Sequence, residues 1–85
     1  MSELNRFLSI FPVKVMGVNR EDFEPLVLEI IQKHASLATD KVISKRLSRN
    51  GRFLSVTVYI NAESQAQLDA IYRELSTHKR VLMML

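Results

Sequence analysis

The residues best suited to recognition chemistry lie in one basic segment. Lys41, Lys45, Arg46, Arg49 and Arg52 fall between positions 41 and 52, a stretch that holds no acid, and Phe53 and Tyr59 follow. Cations beside exposed rings are what four-stranded RNA-binding sheets use to hold phosphates and stack bases. Gly51-Arg52-Phe53 matches part of the third-strand motif of such domains, but the next outward position is Ser55 rather than a ring. The first strand offers Pro12, Lys14 and Met16, none of which stacks. RNA recognition through Lys14, Arg46, Arg49, Arg52, Phe53 and Tyr59 is therefore the rival reading. A solvated sheet edge protected by charge is the preferred one.

Groups for catalysis are sparse. His34 and His78 are the only histidines, and neither stands next to an acid in the chain. Without cysteine they make a poor metal set, and disulfides, zinc ribbons and thiol catalysis are excluded. His34 reads as a cation at a helix end and His78 as a loop residue. The carboxylates, among them Glu21, Asp22, Glu24, Glu29, Glu63, Asp69 and Glu74, read as solvated helix surfaces, with no pair placed in an apolar pocket. No nucleophile elbow surrounds a serine, and two glycines cannot build a phosphate loop. The expectation is a protein without catalysis, metal or cofactor.

The elements that position these groups follow from periodicity. Eighty-five residues, 47% of them hydrophobic, suffice for one helix-on-sheet core, and the net charge of +3 permits acidic partners without demanding them. Residues 1–9 read as a loosely held arm before a single domain at 10–85. Met1–Ile10 has no long apolar run, so neither a signal peptide nor a membrane span is expected, and the cytoplasm is the expected location. Alternation predicts a first strand over Ile10–Met16, ended by Gly17 at a turn. Phe23, Leu26, Val27, Ile30, Ile31 and His34 form one face of a helix from Asp22 to His34, with Pro25 tolerated in its first turn.

Asn50-Gly51 suits a two-residue type I′ turn, which pairs residues whose numbers sum to 101. Leu47 then faces Leu54 and Ile43 faces Val58 on the core side, while Val42 faces Tyr59, Ser44 faces Thr57, Arg46 faces Ser55 and Ser48 faces Phe53 on the other. A second helix runs from Ser64 to Ser76, with Ser64 and Gln67 as a capping box and Leu68, Ile71, Tyr72 and Leu75 as its buried stripe. Val81–Leu85 is a short last strand.

The order β-α-β-β-α-β predicts an α+β, ferredoxin-like sandwich. In it a four-stranded antiparallel sheet of order 4-1-3-2 carries both helices on one face. Strand 2 carries the edge charges Lys41, Lys45, Arg46 and Arg49, with Lys45 pointing inward. Strand 4, with Val81, Leu82, Met83 and Met84, is an apolar edge guarded only by Lys79 and Arg80. Its exposure predicts a protein partner or a second copy of the chain along that edge.

Several pieces of the chain resemble the YbeD family of small bacterial proteins. They are Lys14-Val15-Met16-Gly17, His34-Ala35, Ser55-Val56-Thr57-Val58, Ile60-Asn61-Ala62, Ile71-Tyr72 with Glu74-Leu75, and Val81-x-Met83-x-Leu85. Their order and spacing span Phe11 to Leu85. The resemblance implies an ACT-like fold and a regulatory or binding role. It also implies a ligand turn between strand 1 and helix 1, here Gly17-Val18-Asn19, where a small effector would bind.

Overall fold

The computed structural model describes residues 9–38 and 43–85. The elements run β1 (Ser9–Val18), α1 (Phe23–Gln32), β2 (Ile43–Leu47), β3 (Phe53–Ala62), α2 (Gln65–Ser76) and β4 (Val81–Met84). The strands form one antiparallel sheet in the order β2-β3-β1-β4, the layout expected from the sequence. Every second residue of β3 is buried, from Leu54 to Ala62, as a strand covered on one face requires. Val13, Val15, Val56, Val58 and Ile60 of the sheet join Phe23, Val27 and Ile31 of α1 and Ile71 and Leu75 of α2 in one fully buried cluster. Both helices therefore cover the same side, and among the described residues no helix covers the other. Burial of each such large side chain contributes roughly 1.5–3 kcal/mol.

The hairpin keeps its predicted register but not its predicted turn. Ile43 pairs with Val58 and Leu47 with Leu54. A type I′ turn needs positive φ at both central residues, yet only Gly51 has it, at 74°. Ser48 and Phe53 instead close a four-residue loop: the Ser48 amide donates to the Phe53 carbonyl (2.9 Å) and the Gly51 amide to the Ser48 carbonyl (2.9 Å). The Asn50 carboxamide oxygen accepts from the Arg52 amide (3.0 Å) and fixes the loop from inside. The longer loop has the same centre, so the register survives. Val42 and Lys41 lie outside the described residues, as does the expected arm apart from Ser9, which opens β1 opposite Ala62.

Other boundaries move for local reasons. Gly17 does not end β1, which runs on to Val18. It is buried opposite Leu54 on one side and Val81 on the other, beside an irregularity where the register with β4 shifts. Helix α1 ends at Gln32, because the Lys33 amide turns back to the Ile30 carbonyl (3.2 Å) and the His34 amide to that of Ile31 (2.9 Å). Ser64 caps α2 by accepting from the Gln67 amide (3.1 Å). The Gln67 carboxamide reaches one residue further than a capping box would, accepting from the Glu63 amide (2.7 Å) and donating to the His34 carbonyl (3.1 Å). Beyond α1, Ser36–Ala38 lies along β3, with the Ala38 amide donating to the Tyr59 carbonyl (2.8 Å) and the Asn61 amide to that of Ser36 (3.0 Å).

Ion pairs tie the helices to each other and to the sheet. Glu74 of α2 meets both Lys33 and, at 2.8 Å, His34 Nε2 at the end of α1. Asp22, before α1, forms a two-pronged contact with Arg80, at 2.7 and 3.2 Å. Hydrogen bonding to Lys33, then to His34, holds the Glu74 carboxyl below its ordinary pKa, and Arg80 does the same to Asp22. Both groups bind their proton less readily when folded. Their stabilisation is thus full above the ordinary carboxyl range, about 4, and is lost as pH falls through the lowered values. Urea midpoints should therefore drop on acidification below that range, and the drop should be shallower in Glu74→Gln. An identical acid profile in that variant would count against the pairing.

Candidate functional site

Three surfaces carry the residues singled out in the sequence. The first is the turn after β1. Of Gly17, Val18 and Asn19, the structure brings only Asn19 to a depression. Gly17 is buried under Phe23, and Val18 stands opposite Phe53 on the outer sheet face. The side-chain amide of Asn19 donates to the Gly51 carbonyl (3.0 Å) and its backbone amide to that of Arg52 (2.9 Å), binding the turn to the β2–β3 loop. An open groove of about 440 Å³ follows, lined by Arg20, Glu24, Lys45, Leu47 and Leu54 among others. Lys45 does point to the helix side, where it meets Glu24 at 2.9 Å. Leu47 is on that side as well, but it lies beyond the cover of α1 and is 53% exposed rather than core.

The second surface is the outer sheet face. The six basic and aromatic residues named there fall into two groups. Lys14, Arg46 and Tyr59 surround a hollow of about 350 Å³ together with Ser44, Ser55, Thr57 and Leu85. Arg49, Arg52 and Phe53 sit at the loop end, where the Arg52 guanidinium lies 5.6 Å from the centre of the Phe53 ring. The hydroxyls of the hollow were not singled out by the sequence. Ser55 stood out only as a missing ring, and nothing local to the chain says that Lys14 pairs with Thr57.

The third surface is the outer side of β4. Leu82 and Met83 are each 51% exposed and Leu85 53%, while Val81 and Met84 pack partly against the core. The Leu85 amide donates to the Lys14 carbonyl (2.9 Å), which continues the ladder with β1. Antiparallel ladders alternate, so the N–H and C=O of the neighbouring Met84 face away from β1. Lys79 is exposed, but Arg80 is drawn to Asp22 and does not guard the strand.

Among the described residues no set of three metal-binding side chains comes together. Asp22 and Glu74, the carboxyls with displaced pKa values, are pushed down, opposite to what a general acid needs. Ser76-Thr77-His78-Lys79 has the Ser-x-x-Lys spacing of some acyl-transfer enzymes. Ser76 Oγ, however, contacts the Arg73 carbonyl (3.3 Å) at the end of α2, and Lys79 faces solvent. His78 Nδ1 accepts from the Arg80 amide (3.0 Å) and serves the turn before β4.

These observations define a small ferredoxin-like α+β domain with one helix-covered and one open sheet face. The chain belongs to the family described as protein of unknown function (DUF493), whose family model matches residues 2–85. It is 41% identical over 75 residues to the UPF0250 protein of Nitrosomonas europaea, a match covering 88% of this chain and 86% of that one. It is 47% identical over 75 residues to the UPF0250 protein of Ectopseudomonas mendocina, covering 88% and 82%. A UPF0250 protein of Neisseria meningitidis is 39% identical over 84 residues, covering 99% and 92%. UPF0250 is the YbeD family, so the resemblance seen in the sequence holds. No helix of the described residues is long and apolar enough to cross a membrane.

Proposed function

We propose that this chain is a non-catalytic interaction module that joins a second copy of itself along β4. The observation that carries the reading is the uncharged run Val81–Leu85 at the sheet edge, with Leu82, Met83 and Leu85 half exposed. Two such edges in antiparallel pairing set apolar side chains against apolar ones and oppose no like charges. The other edge, β2, presents Lys45 and Arg46, which disfavour the same contact. A regulatory extension is supported by the groove beside Asn19 and Arg20, large enough for a small effector and joined through Asn19 to the β2–β3 loop. RNA binding has weaker support. Phe53 and Tyr59 both belong to β3, with Ser55 and Thr57 between them on that face, and Arg52 already lies over Phe53.

Sedimentation velocity over a range of concentrations tests the pairing. The parent chain should sediment as a dimer at high concentration. Met83→Lys, which places a charge on the exposed edge without entering the core, should shift the chain to monomer at every concentration used. A parent chain that stays monomeric throughout would sink the reading.

A further inference from the structure

The open sheet face carries a feature that pairing along β4 leaves unused. Lys14 on β1 and Arg46 on β2 flank β3, Lys14 opposite Thr57 and Arg46 opposite Ser55. Ser44 is the second partner of Thr57. Adjacent strands lie about 4.8 Å apart, so the two cations rise from backbones roughly 10 Å apart across the sheet. Both side chains are long enough to bend over the hydroxyls between them.

Unlike Lys33, Lys45 and Arg80, neither Lys14 nor Arg46 meets a carboxylate among the described residues. The hydroxyls of Ser44, Ser55 and Thr57 are likewise without hydrogen-bond partners there. Among the described residues no acid lines the hollow. Unpaired cations with idle donors on a half-enclosed surface form a site of positive potential that an anion would neutralise.

We infer that this hollow binds a small phosphate monoester. The Arg46 guanidinium offers a planar fork for two phosphate oxygens, Lys14 a point charge, and the three hydroxyls further donors. Together they exceed what a single carboxylate can accept, but they suit a dianion with three terminal oxygens. The volume of about 350 Å³ leaves room beside the phosphate for an organic group. Tyr59 forms one wall and gives that group an apolar surface.

The test is a titration of the isotope-labelled full chain with phenyl phosphate, followed by amide NMR, with phenol and benzoate as controls. Phenyl phosphate should produce saturable shifts at Lys14, Ser44, Arg46, Ser55 and Thr57. Phenol should produce none, and benzoate should bind more weakly. Lys14→Ala combined with Arg46→Ala should weaken binding at least about 10-fold. Both side chains are exposed, so the spectrum should remain that of the folded chain. Arg46→Lys keeps the charge and loses the fork, and should weaken binding several-fold.

Met83→Lys should bind phenyl phosphate at least as well as the parent, so the edge contact and the hollow are judged separately. The inference fails if no saturable shift develops by about 10 mM, if the double variant binds as the parent does, or if the shifts gather at Arg52 and Phe53. Tighter binding of a mixed-sequence RNA oligomer, lost in Phe53→Ala, would replace it with the nucleic-acid reading.

Discussion

A single added methyl group in Gly17→Ala is expected to destabilise the domain by about 3 kcal/mol. Its melting temperature should fall by roughly 12–24 °C. A Cβ at this position would lie 2.3 Å from Cε1 and 2.5 Å from Cζ of Phe23, and 2.7 Å from the Arg80 carbonyl oxygen. Contacts this short cannot be tolerated, and neither neighbour yields easily. The Phe23 ring is fully buried, and Arg80 is held by its contact with Asp22 and by the start of β4. Backbone conformation is not the issue, since Gly51 is the only described residue with positive φ. Thermal unfolding of the variant within a few degrees of the parent would show that the ring and β4 can move apart.

Phe23→Ala is expected to have an effect as large or larger, about 3–5 kcal/mol, through the cavity it leaves. A domain of this size has roughly 5–15 kcal/mol in total, so the variant should stand near its unfolding threshold. Phe23 is the first residue of α1, packed between that helix and β1, and its loss loosens both. The two substitutions should also be coupled. With the ring gone, a methyl at position 17 loses its two shortest contacts and keeps the one with the Arg80 carbonyl. The double variant should therefore be less destabilised than the sum of the singles. Urea denaturation of all four proteins measures this, and strict additivity would mean that the ring is not the obstacle.

The sheet was readable from the sequence because its information is local. Alternation in β3 and the Asn50-Gly51 centre of the hairpin are properties of adjacent residues, and they set the pairing of Ile43 with Val58 and Leu47 with Leu54. Gly17 was legible as special but not for the right reason. A glycine at a turn and a glycine under a ring look alike until the helix is docked. Leu47 carried a core pattern, yet its exposure depends on where α1 stops covering the sheet.

The open-face hollow was hidden for the same reason. Its Lys14 and Thr57 are 43 positions apart (57 − 14) and meet only through the register of β1 with β3. Glu74 likewise reaches Lys33 and His34 across two helices, a contact that no spacing along the chain announces.

The unlike borders of the sheet bear on how far assembly can go. The proposed isologous contact through β4 would consume the same strand from each subunit and give a continuous eight-stranded layer (4 + 4). The two ends of that layer are then both β2, with its Lys45 and Arg46. Like charges at both ends would oppose further addition, so growth of the proposed assembly would halt at two subunits instead of running into a fibril.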